Sequence, residues 1–250
     1  MVCVHGFMDT WRTWELVLPM LEGHHDVLAL TLPGHAGGPP LTGAATGAAI
    51  TDELERAMDD AGFGVAHLVG NSLGGYLALQ LAARGRAESV VALAPAGGWA
   101  TGDASFRALL DYQRMMQEDL RTSALNADAI VATRQGRRRA TQLTTENFAH
   151  IPAGLLAHQI RGVMNCEATV PLIEGALREC WLLDAERITC PVRVVWGTAD
   201  RLLPWPAAAA RFRTDWLPHA DWIEIEGVGH APQLDVPLVT AHLITDFTTR

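Results

Sequence analysis

The chain has 250 residues, 49% of them hydrophobic, and its 19 Lys and Arg against 28 Asp and Glu leave a formal net charge of −9. That size and apolar content suit one α/β domain with a single core and an insertion. The acidic balance argues against general binding to nucleic acid or an anionic membrane surface, and no apolar run approaches the ~20 residues that cross a bilayer, so a soluble, cytoplasmic protein acting on a small molecule is expected.

Residues 1–4 read as a strand that runs straight into His5-Gly6-Phe7. Trp11, Trp14, Leu18 and Leu21 then fall at helical intervals, and Gly23 and His24 suit a helix end. Residues 27–32, VLALTL, read as a second strand closed by Pro33-Gly34-His35. Residues 46–61 are helical, with Ile50, Leu54, Ala57 and Met58 on one side. In VAHLVGNSLGGYLALQ, residues 65–80, a buried strand ends in Gly-x-Ser-x-Gly and a helical pattern of Leu73, Leu77 and Leu81 follows at once. Ser72 therefore sits on a sharp strand-to-helix turn whose crowding calls for Gly70, Gly74 and Gly75. Its hydroxyl projects from the sheet edge toward free helix N–H groups, a place suited to a developing oxyanion. Residues 89–94 give another strand.

From residue 95 to about 187 the alternation stops. Helical segments at 106–120, 144–160 and 170–183 have no convincing strand between them, which reads as an inserted helical cap at 96–187 on a core of 1–95 and 188–250. The run Arg137-Arg138-Arg139 reads as a solvated helix face or turn. The pattern resumes with a strand at 192–196, a helix at about 205–216, a strand at 222–226 and a helix at 236–247. The fold class is α/β, a mostly parallel sheet with helices on both faces, and active groups are expected in loops at the carboxyl ends of strands. Cys3, Cys166, Cys180 and Cys190 have no C-x-x-C spacing and read as free thiols. No motif calls for a metal or a cofactor, so none is expected.

A serine hydroxyl needs a base to become a nucleophile, and the base needs a carboxylate to orient it. Asp200, in Gly197-Thr198-Ala199-Asp200, follows one late strand, and His230, in Gly227-Val228-Gly229-His230, follows the next. Both lie on the same sheet edge as Ser72, in the order Ser, Asp, His.

On these motifs, HGF, GNSLGG, GTAD and GVGH, the chain resembles a serine α/β-hydrolase with a helical cap domain. The resemblance implies Ser72 as nucleophile, His230 as base and then acid, and Asp200 as the carboxylate that fixes the imidazole tautomer. It places the oxyanion hole at the backbone N–H groups of Phe7 and Leu73, makes His5 structural, and puts Asp235, the competing acid, at the start of the last helix as a cap. Two departures stand out. The strands that usually precede the HG strand are absent, so the sheet edge is expected to be open, covered by a partner such as a second copy in a homo-oligomer, or built from a shortened start, and the loop after the second strand reads TLPGHA where relatives have Asp-x-Pro-Gly-His-Gly.

Cleavage of a carboxylic ester is the default expectation. The GNS elbow also resembles that of C–C bond hydrolases acting on ring-cleavage products, although the Gly-rich continuation after HG is missing. Ser72 argues against epoxide hydrolases and haloalkane dehalogenases, which place Asp there. Some members of the fold are small-molecule sensors, so a non-enzyme reading stays open. Trp99, Phe106, Met164 and Trp181 are the candidates to line the pocket under the cap.

Overall fold

The computed structural model describes residues 1–100, 102–123, 126–179 and 181–249. Among them, six strands form one sheet: β1 (Val2–Val4), β2 (Leu28–Leu30), β3 (Ala66–Asn71), β4 (Ala87–Leu93), β5 (Val192–Gly197) and β6 (Asp221–Ile225). They lie in the order β2-β1-β3-β4-β5-β6, and every neighbouring pair is parallel. The predicted parallel α/β architecture is therefore the one that forms. Strands with period-two side chains explain how both faces fill. Val2, Val4, Leu68, Val90, Ala92 and Val194 face one side, packed with Leu54 and Met58 of α2 (Gly47–Asp60) and Leu77 and Leu81 of α3 (Leu73–Ala83). Cys3, Val69, Val91, Leu93 and Val195 face the other, against Leu21 of α1 (Leu18–Leu21) and Ala241 and Ile244 of α10 (Pro237–Thr248). Each such fully buried Val or Leu contributes about 1.5–3 kcal/mol.

β2 lies on one side of β1 and β3 on the other, so the chain reverses its direction of winding between β1 and β3. In a parallel sheet this is where the loops at the carboxyl edge part and leave a crevice. The turn after β1 carries Phe7, and the turn after β3 carries Ser72.

Between β4 and β5 lie α4 (Ala104–Ser123), α5 (Ala127–Val131), α6 (Arg134–Thr141), α7 (Ala153–Met164) and α8 (Thr169–Arg178). The triple-Arg run falls within α6. Three expectations in this and the flanking segments need correcting. The helix expected across Trp11 to Leu21 is two pieces, a 3-10 turn Trp11–Trp14 and α1, because Pro19 cannot donate to a continuous helix. The helix expected over 144–160 begins only at Ala153, after Pro152, since the backbone groups of 144–147 bond elsewhere, as shown below. The helix expected over 205–216 is a series of turns through Pro204 and Pro206 that ends in a π-helical turn, Phe212–Trp216. Cys3 and Cys166 are buried free thiols and Cys190 is half-buried and free, whereas Cys180 lies outside the described residues.

Candidate active site

Ser72 has φ 55° and ψ −119°, a conformation that costs a non-glycine residue on the order of 1–3 kcal/mol. The surrounding backbone holds it there: its N–H donates to Leu93 O at 2.9 Å, and its carbonyl accepts from Ala96 N at 2.9 Å and Tyr76 N at 3.1 Å. The glycines follow from contact. A Cβ on Gly70 would run into the Gly74 carbonyl, one on Gly74 into the Val4 carbonyl, and one on Gly6 would lie 3.1 Å from Ser72 Cβ. Leu73 opens α3, so its N–H has no acceptor one turn back. Phe7, Ser72 and Leu73 all border one cavity of about 100 Å³.

Asp200 and His230 are both buried. Asp200 Oδ1 accepts from Leu202 N at 2.9 Å and Leu203 N at 2.8 Å, and Oδ2 lies 2.8 Å from His230 Nδ1. An ionised carboxylate only accepts, so it fixes the imidazole proton on Nδ1 and leaves Nε2 with a lone pair. Nε2 is buried and has no hydrogen-bond partner among the described residues, the Ser72 hydroxyl included. The structure thus joins Asp200 to His230 directly and brings Ser72 to the same edge without a hydrogen bond to the imidazole. What carries the histidine loop to the elbow is the residue before the serine: Asn71 Nδ2 donates to His230 O and to Leu93 O, each at 3.0 Å. Gln233 Nε2 holds Asn71 in turn, donating to its Oδ1 at 3.0 Å and to Thr13 Oγ1 at 3.1 Å.

Asp235 does not cap the last helix. It ends α9 (Pro232–Asp235) fully buried, and its carboxylate accepts from Gly229 N at 2.6 Å, Asn147 N at 2.6 Å and Glu146 N at 3.0 Å. Ala231 N adds a bond to Thr144 O at 2.9 Å. Glu146 closes the other side, with Oε1 2.8 Å from Arg201 and Oε2 3.2 Å from Arg138. Residues 144–147 therefore form a strap that grips the loop before His230 and the residue after Asp200. This is why they are not helical.

Trp99, Phe106 and Trp181 border the cavity beside Ser72; Met164, at the end of α7, does not. The three rings pack on one another, with centroids 4.6 Å (Trp99–Phe106), 5.7 Å (Trp99–Trp181) and 5.6 Å (Phe106–Trp181) apart. Two core groups hold both ends of the helical segment. Arg211 Nη1 donates to Trp99 O at 2.8 Å and Trp181 O at 3.1 Å, and the Tyr76 hydroxyl donates to Leu182 O at 2.6 Å. His5 has the framework place expected of it: Leu32 N donates to its Nε2 at 2.9 Å, so Nδ1 carries the proton and donates to Gly6 O at 2.7 Å. Sequence patterns give no sign of the bonds made by Asn71, Gln233, Asp235 and the strap, since their partners are distant in the chain. Among the described residues, no group of three or more His, Cys, Asp or Glu is placed to hold a metal ion, and no helix is long and apolar enough to cross a membrane.

A parallel sheet with a serine elbow after one strand, and a paired Asp and His after two later ones, defines the α/β-hydrolase class. The model of the alpha/beta hydrolase family matches residues 1–243, and the chain belongs to that family. It is 32% identical to a protein named epoxide hydrolase EphH from Mycobacterium tuberculosis over 208 residues, 80% of this chain and 94% of that one. It is 28% identical to a pimeloyl-[acyl-carrier protein] methyl ester esterase of Aromatoleum aromaticum, over 98% of this chain and 96% of that one. Among solved structures, a thermophilic esterase from Thermogutta terrifontis superposes with a TM-score of 0.73 at 20% identity, covering 98% of this chain and 88% of that one. That last likeness is one of fold.

Proposed function

We propose that the protein is a serine hydrolase that cleaves a carboxylic ester of a small or medium-sized substrate through an acyl-enzyme. The observation that carries the reading is the left-handed Ser72 elbow at the same sheet edge as the buried Asp200–His230 pair. In this reading His230 Nε2 takes the Ser72 proton as Oγ attacks the ester carbonyl. The tetrahedral oxyanion is held by the N–H groups of Phe7 and Leu73, and the proton passes to the departing alcohol. Water then attacks the acyl-Ser72 ester with His230 again as base, releasing the acid. Asp200 stays ionised and stabilises the imidazolium.

Residues 96–187 act as a cap in this scheme, roofing Ser72 with Trp99, Phe106 and Trp181 and keeping bulk water from the acyl group. Ester hydrolysis agrees with the relative named an ester esterase. The relative named an epoxide hydrolase points to a different bond, but the elbow here offers a serine hydroxyl, suited to acyl transfer.

The test is turnover of short-chain nitrophenyl esters by wild type and Ser72→Ala, with fluorophosphonate labelling alongside. Wild type is expected to turn over repeatedly and to be labelled. Ser72→Ala should fold normally, escape labelling and lose on the order of a millionfold in kcat. A variant keeping more than a tenth of the turnover would overturn the assignment of Ser72. A single wild-type burst near one equivalent with no steady phase would overturn the enzyme reading in favour of a sensor.

A further inference from the structure

The cavity beside Ser72 is walled mostly by apolar and aromatic side chains, and one face of α4 supplies much of that wall. Phe106, Leu109, Leu110 and Gln113 recur at i, i+3, i+4 and i+7 on this face, and all four border the cavity. Gln113 is the odd member, an amide only 9% exposed that makes no side-chain hydrogen bond to another described residue. Its neighbour one turn on shows what a satisfied amide does on the same helix: Gln117 Nε2 donates to Val163 O and Cys166 O, each at 2.9 Å, and ties α4 to the end of α7. Of the other polar side chains at the cavity, the Trp181 indole N–H is buried without a partner among the described residues and can only donate, whereas Tyr76 and Glu179 are engaged. The Tyr76 hydroxyl donates to Leu182 O and accepts from Gln80 Nε2 at 2.6 Å, and Glu179, exposed at the rim, accepts from Gly47 N at 3.2 Å. The Gln113 amide atoms are not fully shut off from solvent, so water can bond them, and a ligand that displaces this water must replace those bonds or lose them.

We propose that Gln113 is a specificity-determining residue whose amide recognises a second, uncharged oxygen function, a ketone or hydroxyl, on the acyl chain of the substrate. This deepens the ester reading and rests on it for the reaction. The site's polarity selects a neutral group. Among the described residues no Lys or Arg borders the cavity, and Glu179 at its rim disfavours an anion, so a carboxylate would be desolvated without a counter-charge. A ketone accepts from Gln113 Nε2, a hydroxyl donates to Oε1, and a purely alkyl chain leaves both unpaired once it displaces the water there.

The measurement is kcat/KM for nitrophenyl levulinate, with a ketone one carbon from the chain end, against nitrophenyl valerate, the alkyl chain of equal length. Wild type should favour the levulinate by about tenfold, the worth of one to two net hydrogen bonds. Gln113→Leu, which keeps the helix face apolar and of similar size, should abolish the preference by slowing levulinate and sparing valerate. Affinity of the Ser72→Ala variant for methyl levulinate against methyl valerate, by calorimetry, reads the same preference without turnover. A levulinate preference in binding with no hydrolysis of either ester would sink the ester reading and leave this assignment standing. Equal handling of the two chains by wild type, in binding or in turnover, would overturn it. So would equal losses on both esters in Gln113→Leu.

Discussion

The two halves of the site are built on different principles. On the sheet side, position is imposed by backbone: a serine in a left-handed conformation, glycines with no room for a Cβ, and carbonyls and amides paired within the loops. On the helical side it is imposed by side-chain packing, Trp99 on Phe106 on Trp181, with Arg211 and Tyr76 holding the ends. Backbone-defined atoms hold their place to fractions of an ångström, as reacting groups require. Packed aromatic rings can adjust to a ligand, as the wall of a cavity can. The strap at 144–147 is the exception that joins the halves, a piece of the helical segment whose backbone is tied to the histidine loop by the bond from Ala231 N to Thr144 O and through the Asp235 carboxylate.

Perturbing each half should therefore fail in a different quantity, rate on the sheet side and substrate affinity on the helical side. The largest effect is expected at Asp200. Asp200→Asn should fold with near-native stability and lose about 10⁴ in kcat, because the amide favours the wrong imidazole tautomer. Asp235→Asn sharpens the contrast, since it touches no reacting atom and loosens the loop that carries His230. An amide NH₂ in place of one carboxylate oxygen faces at least one of the three backbone donors, and should lower unfolding free energy by about 1–3 kcal/mol and kcat by about 10–100-fold, with KM little changed. Denaturant titration and steady-state kinetics on both variants decide it. If Asp235→Asn proved the more damaging to turnover, the assignment of the two acids would be reversed.

Acid should unlock the sheet side next. Burial, and the nearness of His35, hold the His5 imidazole well below its usual pKa, and burial pushes His35 down to about 4. The two rings meet edge to face at 5.1 Å, and His5 Nε2 must stay unprotonated to accept from Leu32 N. Both groups are neutral in the fold, while the unfolded chain takes up protons near pH 6.5. The part of stability these two histidines supply is therefore full above that pH and falls as pH drops from about 6.5 toward 4, by at most about 1.4 kcal/mol per unit for each, against an opposing gain from the buried Asp9, whose pKa burial raises to about 6. Urea midpoints across that window test the point, and His35→Gln should flatten the slope.

The smallest effect belongs to the helical side. Phe106→Leu trims a ring that touches Trp99 and Trp181 but no reacting group, and should raise KM for an aromatic or medium-chain ester about three- to tenfold while leaving kcat within about twofold. A fall in kcat as large as that of Asp235→Asn would mean that the roof positions the reacting atoms as well.

Much of this was open to the sequence because the constraints act over a few residues. Alternating apolar residues give the strands, and their regular return gives a parallel sheet. The crowded strand-to-helix turn demands glycine at 70 and 74 and exposes Ser72. Pro19, Pro152, Pro204 and Pro206 lay in plain view as limits on helices, yet periodicity alone drew helices across or up to them.

Asp235 shows where local reading ends. Its position before the final helix looks like a cap, yet its carboxylate is spent on Gly229 and on Glu146 and Asn147, 89 and 88 positions away. The sequence by itself determined the sheet, the elbow and the placing of Ser72, Asp200 and His230 after three of the strands, because backbone sterics and side-chain periodicity are properties of neighbouring residues. Only the tertiary structure decided what holds His230 beside Asn71, that Met164 stays outside the cavity while Trp99, Phe106 and Trp181 wall it, and that Gln113 is left facing it. Those outcomes depend on which distant surfaces pack together once the chain has closed, and a buried polar group takes whatever partner that packing brings.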